Sequence, residues 1–292
     1  MNVDDAGKLK LKRENPLQLL WRSLIRNPAT LMGSIVILLM LSVALLAPLV
    51  APYSFKEMHV QDRLKSPGLQ YLLGTDEFGR DTLSRILYGS RVSMAASILA
   101  VAIAMLVGTV LGSLAGFEGG WLDEILMRIM DMIMAFPYIV LAITLVTILG
   151  PGFRNVILII GILRIPHFAR MSRSSVLALK NEEFVLAAQA LGQTKYRVLF
   201  RHILPNCLTP LVVVASLAAG TAITAESALS FLGLGIQPPM SSWGTMLADG
   251  QKYLFNAPWM ATFPGIAITL TVLAYNLVGD GLRDILDPKF RR

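Results

Sequence analysis

Few residues in this 292-residue chain are of types that do chemistry. A phosphate-binding loop needs GxxxxGK[ST], because backbone N–H groups and a lysine must cradle the phosphates. The only Gly-Lys pair is Gly7-Lys8, and Leu9 follows it. His59, His167 and His202 lie far apart, and Cys207 is the single cysteine, so no metal-ligand spacing or internal disulfide can be written. No Ser/His, paired-Asp or HExxH arrangement sits in the apolar runs, which argues against an intramembrane enzyme. What remains is charge in unusual places: Glu226 and Arg164 inside apolar stretches, and a mixed cluster of Asp76, Gly79, Arg80 and Asp81. Ionisable groups in such stretches are costly and mark pathways or structural pins. Glu226 is read either as lining a pathway or gate, or, preferred, as a hydrogen-bonded pin for the LSFLGLGIQPP turn. Arg164 either snorkels or lines an aqueous cavity. Arg128 and Asp131, one turn apart, are expected to pair.

The elements that must position these groups are apolar helices. Hydrophobic residues make up 54% of the chain and charged residues 15%, with a mean hydropathy of +0.61. A soluble domain carries about 25% charged residues, so the composition is that of a polytopic membrane protein. The net charge is +7, but the bases are scattered between apolar runs, which disfavours nucleic acid as a partner. A bilayer core takes about 20 apolar residues of helix. Ala29–Val50, Val92–Phe117, Met132–Phe153, Asn206–Ala225 and Leu254–Gly279 qualify, and the interrupted run Asn155–Val176 is a sixth. In the second, Gly108, Gly112 and Gly116 form a small-residue stripe that invites close helix approach.

Sidedness follows from Lys and Arg. Six bases precede Pro28, seven lie between Arg164 and Asn206, and four follow Val278. The expectation is an all-α protein with six spans and both termini inside. Residues 1–28 form an inner tail, with the first span at 29–50. An outer loop covers 51–91, the core covers 92–279, and 280–292 form an inner tail ending in a short interfacial helix stopped at Pro288. The first apolar run is too long for a cleavable leader and is read as a retained span.

Glu182–Asn206, EEFVLAAQALGQTKYRVLFRHILPN, is too polar to cross and too patterned for a slack loop. Glu182 and Glu183 suit a helix N-terminus. Phe184, Ala187, Ala188 and Leu191 define an apolar face, Gly192 fits the residue just past a helix end, and Thr194 is placed to cap a second helix. Pro205 opens the next span. On residues alone, docking of another protein on the small face and an amphipathic helix lying on the membrane stand as equal readings.

The stretch resembles the EAA motif of ABC importer permeases. Gly192, Ile203 and Pro205 match its glycine, isoleucine and proline, and Leu186 stands in the glutamate position. LGTDEFGRDTLSRILYGSR (73–91), RIMDMIMAFP (128–137), LSFLGLGIQPP (229–239), SWGTML (242–247) and NLVGDGLRDILDPK (276–289) are similar to the dipeptide/oligopeptide/nickel branch, and within it to the C-type permease. The resemblance implies a non-catalytic subunit of the cytoplasmic membrane. It implies a second, homologous permease, two ATP-binding subunits that hold ATP and Mg, and an extracytoplasmic substrate-binding protein. It makes Glu183–Pro205 a coupling helix-turn-helix between spans four and five, with Glu183, Ala187, Ala188, Gly192, Arg201 and Pro205 facing an ATPase. Peptides are the implied cargo, with nickel or glutathione as alternatives. The rival outside this class, an ion-coupled secondary transporter, lacks a visible internal repeat and has only Glu226 as the seed of an ion site. For residues 73–91 the roles stay open: contact with the binding protein or shaping of the outer gate on one side, and a folded cap fixed by pairs such as Asp76–Arg80 on the other.

Overall fold

The computed structural model describes residues 27–286. The expected N-terminal tail and the end of the expected interfacial helix at Pro288 lie outside the described residues. The first helix, α1 (Pro28–Val50), begins where Asn27 caps it: the Asn27 side-chain oxygen accepts from Ala29 N–H at 3.1 Å, with Pro28 in the first turn. It is apolar all round and largely exposed, as a lipid-facing helix is.

The second helix, α2 (Thr82–Glu118), is longer than expected. It starts at Thr82 rather than Val92, so the outer loop ends at Asp81. The reason is a cap: Asp81 Oδ2 accepts from Ser84 N–H at 2.8 Å and from Ser84 Oγ at 2.6 Å. Ser84, Arg85, Gly89 and Ser90 are then buried in helix rather than looped.

The expected third span is not one helix. It is α3 (Gly120–Met134) and α4 (Tyr138–Leu149), bent by 90° across Ala135–Pro137. Pro137 restricts Phe136 to extended backbone and cannot donate to a continuing helix, so the run breaks there. The interrupted fourth run is, by contrast, one helix, α5 (Phe153–Leu179), carrying Pro166 inside it. Then come the short α6 (Glu183–Ala190) and α7 (Lys195–Val198), a π turn over Leu199–Ile203, and α8 (Leu204–Phe231). A buried helix α9 (Trp243–Gln251) precedes α10 (Trp259–Leu286). The last helix runs on through Asp280 and Gly281 without the expected break between span and interfacial helix. Among the described residues, five helices are long and apolar enough to cross a membrane, and the bent pair, taken as one span, makes a sixth.

The α2–α5 pair is the spine, and the glycine stripe is why. A Cβ on Gly112 would lie 2.0 Å from the Ala169 carbonyl oxygen, so the two backbones meet with no room for a side chain. Gly108 and Gly116 face Ile165 and Arg173 on the same helix. Ser113 and Ser172 hydroxyls, 2.9 Å apart, tie the contact with a buried polar link. One continuous apolar core then joins α2, α5 and α8 and reaches Val185, Ala188, Val198, Leu199 and Ile203 below the short helices.

Candidate functional site

Three places hold the candidate residues. The first is the outer cap, residues 51–81. Asp76 is its hub, 2% exposed. Its Oδ1 accepts from Phe78 N–H at 2.8 Å and Arg80 N–H at 2.9 Å. Its Oδ2 takes Arg80 Nε at 2.6 Å and Arg85 Nη1 at 2.5 Å. The expected Asp76–Arg80 pair is present, and Arg85 is a second partner that sequence reasoning missed. Arg85 also reaches Asp249 at 3.5 Å, which ties the cap to α9. Gly79 has φ +73°, and a Cβ there would meet the His59 carbonyl, so the turn admits only glycine. Thr75 backbone accepts from the Trp259 indole at 3.1 Å, which fixes the cap to α10. At the rim, Tyr71 donates to Asp62 at 2.8 Å and Lys65 pairs with Asp62 at 2.5 Å. Burial and the Asp62 bond push the Tyr71 phenol up to about 12, while Lys65 and Tyr71 hold the Asp62 carboxyl below its usual value. Burial pushes Glu77 up.

Behind the cap, Glu226 sits on α8, fully buried. Ser230 Oγ donates to Glu226 Oε1 at 2.7 Å and accepts from Ile236 N–H at 3.2 Å. Ser93 and Ser242 flank the same carboxyl, and Ser93 Oγ also accepts from Trp243 N–H at 3.3 Å. The carboxyl therefore stands where α2, α8, the LGLGIQ turn and α9 meet. One oxygen is tied to Ser230, and Oε2 is buried without a hydrogen-bond partner.

The second place is the break between α3 and α4. A cavity of about 380 Å³ opens there, lined by Ile133, Met134, Phe136, Tyr138, Leu163, Arg164 and His167 among others. The Arg164 guanidinium lies 5.1 Å from the Tyr138 ring centre and lines this void. Tyr138 and His167 were not singled out as site residues. The expected Arg128–Asp131 pair is replaced: Asp131 meets Arg170, and Asp123 takes Arg173 through two bonds at 2.5 and 2.6 Å. The signal was in the sequence. Two acids on α3, Asp123 and Asp131, meet two bases on α5, Arg173 and Arg170.

The third place is the polar stretch. Its first helix ends as expected, with Gly192 at φ +75° just past the end. The face, however, is turned. Val185 and Ala188 point inward, Ala188 being 5% exposed. Phe184, Ala187 and Leu191 are exposed, Leu191 at 82%. Ala188 is thus a core residue rather than a contact surface, because the protein's own Val198, Leu199 and Ile203 compete for the apolar face. Thr194 holds the cap position of α7 but its hydroxyl makes no capping bond. The turn is held instead by His202 Nε2 and Gln193 Oε1, 2.8 Å apart. Pro205 has no N–H and its ring crowds the Arg201 carbonyl; the π turn over Leu199–Ile203 sits just ahead of it and widens the helix there. Glu183 lies in the first turn of α6 and Arg201 is exposed. Lys195 reaches Glu118 at 3.5 Å, the main polar tie from this element to α2. Among the described residues, no three His, Cys, Asp or Glu side chains gather as metal ligands.

Comparison with known proteins finds the same frame. The family described as binding-protein-dependent transport system inner membrane component matches residues 108–292, and the N-terminal TM domain of oligopeptide transport permease C matches residues 15–67. The dipeptide transport system permease protein DppC of Alkalihalophilus pseudofirmus is 45% identical over 95% of this chain and 91% of its own length. The glutathione transport system permease protein GsiD of Pectobacterium atrosepticum is 44% identical over 94% of this chain and 92% of its own. The di/tripeptide permease DppC of Pseudomonas aeruginosa is 42% identical over the whole of this chain. An inward-facing structure of the MetNI methionine ABC transporter shares the fold, with a TM-score of 0.57 at 19% identity over 70% of this chain and 97% of that one. A broken third span, a glycine-zipped spine and matches over nearly every residue converge: the chain belongs to the family of binding-protein-dependent transport system inner membrane components, the permease subunits of ABC importers.

Proposed function

We propose that this chain is the C-type permease of a peptide importer, working by alternating access. The carrying observation is the match to dipeptide permeases over 91–98% of their length. The chain supplies the path and not the engine. ATP and Mg are held by two ATP-binding subunits, a second permease completes the pore, and a binding protein delivers cargo from outside. Both termini and Glu183–Pro205 face the cytoplasm in this reading, supported by the distribution of bases.

Glu183–Pro205 is then the coupling element. The exposed Phe184, Ala187 and Leu191 around Gly192 are apolar groups in a place that is neither core nor span, which suits a socket on an ATPase. Arg201 lies on the same exposed side, and Pro205 carries the motion into α8 through the π turn. The outer cap, with Asp76, Gly79, Arg80 and Asp81, is a rigid platform for the binding protein. Glutathione is the second reading, favoured by the 44% identity to glutathione permeases. Uptake of labelled dialanine, glutathione and Ni²⁺ by cells with and without this chain tests the proposal, with ATP depletion as control. ATP-dependent dialanine uptake that vanishes on deletion is the expected result. Unchanged uptake of all three overturns it.

A further inference from the structure

The cavity at the break of the third span holds two donors with nothing to donate to. Arg164 Nε and Tyr138 Oη are both buried and both lack a hydrogen-bond partner. Such groups cost free energy unless something pairs with them. They share one cavity of about 380 Å³, whose other walls are Ile133, Met134, Phe136 and Leu163, with His167 at the edge and no acid in the lining. The nearest acid on α3, Asp131, is taken by Arg170. Arg164 is also deep. It lies eleven residues along α5 from Phe153, about 17 Å at the helical rise, well inside an apolar helix, where an ionised side chain implies a use. The backbone break at Ala135–Pro137 opens onto the same void, and irregular backbone at that depth is tolerated where it lines a cavity.

We propose that Arg164 and Tyr138 form a transit subsite for the α-carboxylate of the cargo peptide. A guanidinium fork takes a carboxylate through parallel N–H···O bonds, the Tyr138 hydroxyl adds a third donor, and the apolar walls accept side chains without selecting among them. The inference rests on the importer reading but not on which peptide is carried, since glutathione also ends in carboxylates.

The test uses the whole importer complex in nanodiscs of zwitterionic lipid, free of nucleotide and of binding protein. Equilibrium binding of labelled dialanine and of dialanine amide is measured. Dialanine is expected to bind at least about tenfold more tightly than the amide. Arg164→Gln should bring dialanine down to the level of the amide, Arg164→Lys should recover part of the loss, and Tyr138→Phe should cost a few-fold. Equal binding of acid and amide by the unaltered complex overturns the proposal without any variant. So does unchanged dialanine binding by Arg164→Gln. In nanodiscs containing phosphatidylglycerol, loss of dialanine binding that Arg164→Gln relieves would make a lipid headgroup the occupant and also overturn it. Reconstituted, ATP-dependent uptake with the binding protein separates the two levels. Dialanine uptake together with equal acid and amide binding sinks this subsite alone, whereas no peptide uptake sinks the importer reading and the subsite with it.

Discussion

The two ends of the molecule solve opposite problems. The outer cap is built around buried charge: Asp76 takes four bonds within residues 78–85, and Arg85 and Thr75 lash the cap to α9 and α10. The inner element, residues 183–203, is built around exposed apolar groups and has few ties to the rest, Lys195–Glu118 among them. Buried ion pairs leave a cap one geometry, because losing either partner strands the other. Exposed Phe184, Ala187 and Leu191 gain most when something covers them. One end is closed on itself, and the other leaves apolar groups uncovered.

Variants break or sharpen that contrast, ranked by effect on the fold. Asp76→Ala leaves the buried Arg85 with only its longer contact to Asp249 and is expected to cost about 3–5 kcal/mol; a thermal melt of the purified complex, and loss of the membrane-inserted form, are the readouts. A melt indistinguishable from the parent would mean the cap is not held by its charges. Ala188→Arg is expected to cost about 2–4 kcal/mol, since it forces bulk and charge into the core under α6. Leu191→Asp, three residues on and exposed, should stay within about 0.5 kcal/mol yet cut uptake by at least about tenfold, with ATP hydrolysis uncoupled from transport. If Ala188→Arg melts normally, or Leu191→Asp transports normally, the inner element does not face the way described.

The smallest effect is at the cap rim and depends on pH. Tyr71 has its folded value raised to about 12 from 10. Its contribution is therefore fully present below pH 10 and lost as pH rises through about 12. Asp62 is lowered from 3.8, so its contribution is present above that value and lost as pH falls through the lower, folded one. At this rim the Tyr71 and Asp62 contributions are flat through neutral pH and fall at the two extremes, and Tyr71→Phe should remove the alkaline limb and shrink the acid one, because its hydroxyl is one of the two donors that hold Asp62 low. A melt showing the same alkaline limb in Tyr71→Phe would assign that limb to another group.

Helix existence was legible in the sequence because hydrophobic runs of span length have few alternatives, and the glycine stripe announced its own packing. The break at Pro137 was legible too, but the apolar run around it outweighed one proline in the reading. The start of α2 was hidden because Tyr88, Gly89, Ser90 and Arg91 read as loop, when the decisive residue was the Asp81 cap. At the inner element the turn at Gly192 was readable from local chemistry. The direction of its faces was not, since Val185 and Ala188 are chosen by Val198, Leu199 and Ile203, which pack back from the next helix. The partners of Asp76 split the same way: Arg80 is local and Arg85 is on another element.

The helix that begins at Lys195 continues to Phe231, 37 residues in one piece with a π turn near its inner end. At the helical rise that is about 55 Å. A rod of that length spans the bilayer and ends at Glu226 and Ser230, beside the seam where α2, α9 and the LGLGIQ turn meet. A displacement applied at Lys195, where the rod begins, is therefore not relayed through soft loops. In the proposed importer it would arrive at the far end as a tilt of one member, with Leu199–Ile203 as the flexure, so that the two mouths of the path would be geared to each other by a single shaft.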